Sequence, residues 1–190
     1  MNKAVFIDRD GVVNPLVYNI NTNEYESPHT PEDFSVYPWL IKSLRLLKMQ
    51  DYLLFIISNQ PSYAKGKTTL ENIKSIENLL KEYIIENGNY INEYYYCYHH
   101  PDGTIPEYSG LCECRKPGTL FIKHAAAAFD LNLSDCFIIG DQDTDIMCGI
   151  SAGMKTIKIE NKHSYKKSGQ VEPTEYAANL YDAVIKIIKL

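Results

Sequence analysis

Long apolar runs, low-complexity tracts and internal repeats are absent from this chain of 190 residues. Because a helix needs about 20 mostly apolar residues to cross a bilayer, we expect no membrane partner. A surplus of basic residues is also absent, since 19 Lys and Arg stand against 24 Asp and Glu, and the net charge is −5. Nucleic acid is therefore not an expected partner. A small phosphorylated molecule is compatible with this charge, because it needs only a local cluster of cations.

Cysteine is too scarce and too unevenly placed for a disulfide framework. The chain has five cysteines, an odd number, and three of them lie with two histidines between residues 97 and 114. In a reducing compartment, such a cluster indicates metal ligation. The chain opens directly on a strand-like run at residues 3–7, so we expect a cytoplasmic protein.

The overall composition is that of a folded protein, with 45% hydrophobic, 23% charged and 12% aromatic residues. The length suffices for one substantial core and is short for two. We therefore expect a single domain over residues 1–190, and a monomer.

Short apolar segments alternate along the chain with segments of helical periodicity. This alternation predicts an α/β fold with a doubly wound, Rossmann-like parallel sheet, in which ligands bind at the carboxyl ends of the strands. The predicted strands are residues 3–7, 52–57, 93–98, 136–139 and 155–159. The predicted helices are residues 39–48, 68–88 with Thr68 and Glu71 as a capping box, 117–129, a short helix that carries Ile146 and Ala152, and 174–190. Residues 160–172 are predicted to form a loop.

Three of the predicted strands end on polar residues that should meet at one edge of the sheet: Asp8, Ser58 and Asp141. Asp8 and Asp10 lie two residues apart, so both side chains can face the same way, and Gly11 permits a sharp turn. One carboxylate can then attack a phosphoryl group while the other carries protons. The alternative is a turn with two exposed acids, because Asp and Gly are common turn residues.

The ends of the other two strands, at Asp141 and Ser58, carry further polar residues nearby. Asp141 and Asp145 supply the hard oxygen ligands that Mg²⁺ prefers, with Asp141 as the ligand and Asp145 behind it or at the helix start. The alternative is that these acids only favour the dipole of the helix that follows. Ser58, Asn59 and Gln60 offer a hydroxyl, amides and backbone N–H groups to a transferring phosphoryl group, or else form a polar turn.

Two adjacent cations, Arg115 and Lys116, stand just before a predicted helix. A guanidinium can hold a second anionic group through two hydrogen bonds, and an ammonium can lie between a phosphate and its nucleophile. A solvated basic pair is the alternative interpretation.

Three sulfurs and one imidazole form a ligand pattern of two pairs with twelve residues between them: Cys97 and His99, then Cys112 and Cys114. This pattern predicts a closed tetrahedral zinc site, which leaves no position for substrate and would therefore be structural. His100 is an alternative ligand, because it is adjacent to His99. For Cys136 and Cys148, which lie in apolar surroundings, burial is the predicted role.

Taken together and in order, these motifs resemble those of the haloacid dehalogenase superfamily. With the zinc-bearing loop, they look like the branch that contains the D-glycero-D-manno-heptose 1,7-bisphosphate phosphatases and the histidinol-phosphate phosphatases. The resemblance covers residues 3 to about 160. The matching segments are Asp8–Asn14, Ser58–Gln60, Arg115–Pro117 and Gly140–Asp145.

The resemblance implies a role for each matching residue. It makes Asp8 the nucleophile, Asp10 the general acid and base, and Ser58 and Lys116 the groups that stabilise the phosphoryl group. It also implies a Mg²⁺ cofactor bound by the Asp8 carboxylate, the Asp10 backbone carbonyl and the Asp141 carboxylate. A structural Zn²⁺ would be bound by the Cys/His cluster described above.

Substrate selection is expected to fall to loops, because this branch has a minimal cap and residues 15–36 show no helical periodicity. Two departures from the branch affect these loops: Gln142 stands where lysine is frequent, and Pro61 follows the Asn-Gln turn where Ser-Gly is usual. The expected substrate contacts are Leu16, Val17, Tyr18, Asn19, Asn59, Gln60, Pro61, Arg115 and Gln142, with Lys65 and Lys67 as further candidates for binding a second phosphate.

The resulting hypothesis is Mg²⁺-dependent hydrolysis of a small sugar phosphate through an aspartyl phosphate. Most concretely, the resemblance implies removal of the 7-phosphate of a heptose 1,7-bisphosphate in lipopolysaccharide precursor synthesis. The enzyme alternative is a histidinol-phosphate phosphatase or another small sugar-phosphate phosphatase. A third hypothesis is a non-catalytic domain that is phosphorylated on Asp8 as a switch. Asp10 argues against it, because a lasting aspartyl phosphate gains nothing from a neighbouring general base.

Overall fold

The computed structural model describes residues 1–164 and 171–189. Strands and helices alternate along most of the chain, as predicted. In chain order they are β1 (Ala4–Ile7), β2 (Val17–Asn19), β3 (Glu24–Glu26), α1 (Leu40–Met49), β4 (Leu53–Asn59), α2 (Leu70–Glu86), β5 (Glu93–Cys97), α3 (Leu120–Phe129), β6 (Phe137–Gly140), α4 (Asp143–Ser151), β7 (Lys155–Ile159), β8 (Glu175–Ala177) and α5 (Leu180–Lys189).

Six of these strands form one sheet in the order β5-β4-β1-β6-β7-β8, and every neighbouring pair is parallel. The central strand β1 is buried along its whole length, as expected for a parallel strand that is covered on both faces. The predicted α/β fold with a doubly wound, Rossmann-like parallel sheet is confirmed.

The two faces of the sheet belong to two separate hydrophobic cores. Successive side chains of a strand point to opposite faces, so Val5 and Ile7 pack into one core and Ala4 and Phe6 into the other. Helices α1, α2 and α5 bury leucine, isoleucine and valine side chains in the first core. Helices α3 and α4 cover the second core, which also contains Cys136 and Cys148, both fully buried as predicted.

A small hairpin takes the place of a large cap. Strands β2 and β3 pair in antiparallel fashion outside the main sheet. The 3-10 turn Pro31–Asp33 follows the hairpin and leads to α1. This arrangement agrees with the minimal cap expected from the sequence.

The structure corrects two details of the predicted elements. Helix α2 begins one residue later than the predicted capping box, because Thr69 caps it by accepting from the Asn72 N–H at 3.1 Å. The Thr68 hydroxyl instead donates to the backbone carbonyl of His29. Tyr176, predicted on the last helix, lies on β8, which pairs with β7 at the edge of the sheet.

Part of the predicted loop 160–172, namely residues 165–170, lies outside the described residues, as does Leu190 at the end of the predicted last helix. Among the helices of residues 1–164 and 171–189, none is long and apolar enough to cross a membrane.

Candidate active site

The polar residues predicted at the strand ends do converge. Asp8 follows β1, Ser58 lies near the end of β4, and Asp141 follows β6. All three are nearly inaccessible to solvent. One carboxylate oxygen each from Asp8, Asp141 and Asp145 lies within 4.8 Å of the other two. The carboxyl edge of the sheet therefore holds a buried cluster of acids.

Lys116 is the cation at the centre of this cluster. Its Nζ lies 2.8 Å from Asp8 Oδ1 and 2.6 Å from Asp145 Oδ1, and it donates to the Ile57 carbonyl at 2.8 Å. Burial opposes its charge, but the carboxylates of Asp145 and Asp8 raise the pKa of Lys116 above its ordinary value. The ammonium is therefore held charged between two acids.

The same surroundings favour the neutral form of Asp8, whereas they favour the charged form of Lys116. Burial raises the pKa of Asp8 to about 7, and the charges of Asp145 and Asp10 add to this effect while Lys116 opposes it. Positive charge brought to this carboxylate would favour its ionised form, which is the form that can attack.

Asp141 has one oxygen held and one left open toward the cluster. Its Oδ2 accepts from the Ser164 hydroxyl and from Asn161 Nδ2, the latter at 3.3 Å. Its Oδ1 is buried and has no hydrogen-bond partner within residues 1–164 and 171–189. Burial and the charge of Asp8 raise the pKa of Asp141 well above its ordinary value. A buried carboxylate oxygen without a partner, beside a second carboxylate, is a suitable ligand for a divalent cation.

Asp145 has two roles that agree with its predicted place at the helix start. Its Oδ2 accepts from the Gln142 backbone N–H at 3.0 Å and so helps to cap α4. Its other oxygen pairs with Lys116. Asp145 therefore links the start of α4 to the cation of the site.

Asp10 lies beside the cluster in a dense set of hydrogen bonds from Arg9, Asn14 and Gln60. Arg9 is fully buried, and its guanidinium also faces the ring of Tyr96 at 5.9 Å. Sequence reasoning missed Arg9. The available signal was an arginine placed between two acids directly after a buried strand.

An open cavity of about 600 Å³ gives access to Asp8, Asp10, Ser58 and Lys116. Val17 and Asn19 do not line it, and they line a second cavity of about 390 Å³ that shares Tyr18 and Glu26 with the first. Gln60 does not line either cavity and is 1% exposed. The predicted substrate contacts that do line the main cavity are Leu16, Tyr18, Asn59, Pro61, Arg115 and Gln142.

The cavity also has walls that sequence reasoning missed. Tyr25 of β3 stacks on His163, with ring centroids 3.6 Å apart, and both side chains line the cavity together with Lys162. Lys65 and Lys67, which the sequence suggested as further contacts for a second phosphate, line the cavity as well, and Lys67 pairs with Glu26 at 2.7 Å. Strand β3 and the segment after β7 carry no helical or strand periodicity that would mark them as parts of a site.

The four residues of the ligand pattern lie together in the zinc-loop cluster: Cys97, His99, Cys112 and Cys114. Their sulfurs are 3.1 to 3.5 Å apart, and the His99 Nδ1 lies 3.8 and 3.7 Å from two of them. Zn–S bonds of about 2.3 Å in a tetrahedron place sulfurs roughly 3.8 Å apart, so the cluster fits Zn²⁺ with slight expansion. The neighbouring His100 accepts through Nδ1 from the Asp102 N–H instead, so His99 is the histidine of the cluster.

Comparisons with known proteins agree with this fold and site. Residues 113–183 match the HAD-hydrolase-like family model. The chain is 30% identical to the D-glycero-D-manno-heptose-1,7-bisphosphate 7-phosphatase of Chlorobaculum tepidum over 96% of this chain and 92% of that protein. It is also 30% identical to the D-glycero-alpha-D-manno-heptose-1,7-bisphosphate 7-phosphatase of Photorhabdus laumondii over 92% and 89% of the two chains.

A solved structure shows the same fold. The D,D-heptose 1,7-bisphosphate phosphatase of B. bronchiseptica, complexed with magnesium and phosphate, superimposes with a TM-score of 0.79 at 21% identity over 98% of each chain. The chain therefore belongs to the haloacid dehalogenase superfamily, as its motifs predict. Within that superfamily, its sequence is similar to phosphatases named for a heptose bisphosphate.

Proposed function

We propose that this protein is a Mg²⁺-dependent phosphatase that removes the 7-phosphate of D-glycero-D-manno-heptose 1,7-bisphosphate and leaves the 1-phosphate. The observation that carries the reaction is the buried contact of Lys116 with Asp8, with Asp10 opening into the same cavity. The similarity to the heptose bisphosphate phosphatases supports the substrate.

The reaction proceeds in two transfers of the phosphoryl group. A carboxylate oxygen of Asp8 attacks phosphorus while the bond to the sugar oxygen breaks, and Asp10 donates a proton to that oxygen. Water then attacks phosphorus, its proton passes to Asp10, and the bond to Asp8 breaks. Ser58 donates a hydrogen bond to a phosphoryl oxygen, and Lys116 supplies the positive charge beside the phosphoryl group, in both steps. The products are inorganic phosphate and the dephosphorylated sugar.

The residues present suit two metal ions with different tasks. Asp8 and Asp141, with the backbone carbonyl of Asp10, would hold Mg²⁺, which supplies charge neutralisation for the transferring phosphoryl group when bound. The zinc-loop cluster offers four protein ligands and no place for substrate, so its Zn²⁺ would be structural. Cys114 is followed directly by Arg115 and Lys116, so a bound Zn²⁺ would hold this chain segment next to the active site.

The cavity suits a substrate with more than one anionic group. Arg115 is half-buried, and its guanidinium donates to the His99 carbonyl at 3.2 Å, which aims it from the zinc loop into the cavity. Lys65, Lys67 and Lys162 line the same space. A sugar that bears two phosphates can place one at Asp8 and the other among these cations. Cytoplasmic localisation, a monomeric state and a single domain over residues 1–190 remain part of this proposal.

A substrate comparison tests the proposal. With Mg²⁺ present, we expect kcat/KM for D-glycero-D-manno-heptose 1,7-bisphosphate to exceed that for histidinol phosphate and for simple hexose phosphates by about 10²-fold or more, because two anionic groups are recognised instead of one. Release of inorganic phosphate gives the rates, and ³¹P NMR shows which phosphate remains on the sugar. Preferred turnover of histidinol phosphate would assign the chain to the alternative enzyme.

Gly11 provides a test of the Mg²⁺ ligands. Its φ is +91°, and a Cβ at this position would lie 2.0 Å from Asp141 Oδ2 and 2.9 Å from Asn161 Nδ2. Gly11→Ala should therefore displace Asp141 and raise the Mg²⁺ concentration for half-maximal activity by about tenfold or more. Gly153→Ala is the matched control, because Gly153 also has positive φ, at +76°, and among the described residues no atom beyond its two chain neighbours lies within 4 Å of its Cβ position. An unchanged Mg²⁺ requirement in Gly11→Ala would contradict the assignment of Asp141.

A further inference from the structure

The carboxylate of Asp10 is held by donors from three side chains. Arg9 donates to Oδ1 through Nε at 3.1 Å and Nη2 at 3.0 Å, and Nη2 also reaches Oδ2 at 3.1 Å. Asn14 Nδ2 donates to Oδ1 at 2.9 Å, and Gln60 Nε2 donates to Oδ2 at 2.5 Å. Both oxygens are thus engaged, and the rotation of the carboxylate is restricted.

Gln60 connects this carboxylate to a second group of the site. Its Nε2 also donates to the Ser58 Oγ at 2.9 Å, so both amide protons are used. Its Oε1 accepts from Arg9 Nη2 at 2.7 Å, which fixes the orientation of the amide. Because Ser58 Oγ accepts from Gln60, its own proton can point to another acceptor, such as a phosphoryl oxygen.

We propose that Gln60 is a positioning residue that aims Asp10 at the leaving oxygen and turns the Ser58 hydroxyl toward the phosphoryl group. Gln60 does this without touching substrate, since it is 1% exposed and does not line the cavity. Arg9 is the anchor of the arrangement, because it is fully buried and bonds to both Asp10 and Gln60. The inference rests on the proposed phosphatase function and assigns to Gln60 a role other than the substrate contact expected from sequence.

If Gln60 positions the general acid, its loss should affect substrates with poor leaving groups more than substrates with good ones. A purely structural role would affect both kinds of substrate equally. An alkoxide leaving from a sugar phosphate needs a proton from Asp10 as its bond to phosphorus breaks. A stabilised anion such as 4-nitrophenolate or acetate leaves without that proton. Misplacing the acid should therefore slow transfer from the sugar phosphate much more than transfer from an activated phosphate.

The experiment compares Gln60→Met with wild type. Methionine has a similar length and shape but makes none of the three hydrogen bonds, and Gln50→Met, at the exposed end of α1, is the matched control. The substrates are the heptose bisphosphate and whichever of 4-nitrophenyl phosphate and acetyl phosphate the wild type hydrolyses faster. We expect kcat/KM of Gln60→Met to fall about 10²-fold on the sugar phosphate and less than about fivefold on the activated phosphate.

The outcomes separate this proposal from the proposed function. Equal losses on both substrates in a folded Gln60→Met protein would overturn the positioning of Asp10 by Gln60 and leave the phosphatase function standing. Wild-type protein that releases phosphate from none of these substrates would overturn both. If Gln60→Met does not fold, Asn14→Ala removes another donor to Asp10 and must show the same dependence on the leaving group.

Discussion

Replacing Asp8 by asparagine should abolish Mg²⁺-dependent phosphate release. An amide has the shape of the carboxylate but cannot attack phosphorus to form an acyl phosphate, so we expect a loss of at least about 10³-fold in kcat. Release of inorganic phosphate from the heptose bisphosphate is the measurement. The same variant should also fail to show the added mass of a phosphoryl group after rapid acid quenching.

The fold of Asp8→Asn should be intact. The pKa of Asp8 in the folded protein is raised from 3.8 to about 7. Between these two pH values, the metal-free folded state therefore holds a proton on Asp8 that the unfolded state has already lost. The ionisable carboxylate therefore costs stability as pH rises from about 4 to about 7, and above that range the cost is constant. A neutral amide avoids this cost, so the metal-free variant should melt no lower than wild type at pH 8.

Asp51→Asn is the control for this experiment. Asp51 is exposed and has a positive φ of 60°, a conformation that asparagine also adopts readily. Its activity should equal that of wild type. Near-normal turnover in Asp8→Asn would refute the covalent mechanism, whatever the substrate.

The second large effect is expected at the zinc-loop cluster. Cys112→Ser removes one of four ligands, so the purified protein should contain almost no zinc where wild type contains about one equivalent. No apolar residue of the loop between β5 and α3 belongs to the buried core, so the loop depends on its metal, and we expect the melting temperature to drop on the order of 10 °C. Elemental analysis and thermal unfolding measure the two effects.

Cys136→Ala serves as the comparison for the zinc experiment. Cys136 lies in the second core, outside the zinc-loop cluster, so its loss should lower stability through packing without changing the zinc content. Wild-type protein without zinc, or Cys112→Ser with full zinc content, would rule out the cluster as a zinc site.

Much of this site could be predicted from the sequence because parallel strands impose a simple geometry. Asp8, Ser58 and Asp141 each stand at or near the end of an apolar run, and the carboxyl ends of such runs meet at one edge of the sheet. The spacing of the cysteine and histidine residues predicted the members of the zinc-loop cluster in the same way, apart from the choice between His99 and His100. That choice depends on the path of the chain after β5, which residue spacing does not encode.

The parts that were missed depend on side-chain direction and on contacts far apart in the chain. Gln60 and Ser58 are two residues apart and face the same side, so the glutamine turns inward to Asp10 while Asn59 bonds to the Lys116 backbone. β8 was missed because a strand of three residues is too short to show alternation. Tyr25 and His163 come from segments more than 130 residues apart, and only the fold brings them together.

The reacting groups and the outer wall of the cavity belong to different parts of the fold, and this matters for redesigning substrate selectivity. Asp8, Asp10 and Ser58 stand on or shortly after the strands of a buried sheet and Lys116 precedes α3, whereas the hairpin β2–β3 and residues 162–164 supply much of the outer wall. Transplanting the hairpin from a relative with another substrate would change selectivity while the chemistry stays in place. The same separation means that substitutions in the outer wall need not move Asp8, Asp10 or Lys116, so substrate preference can change independently of the reaction.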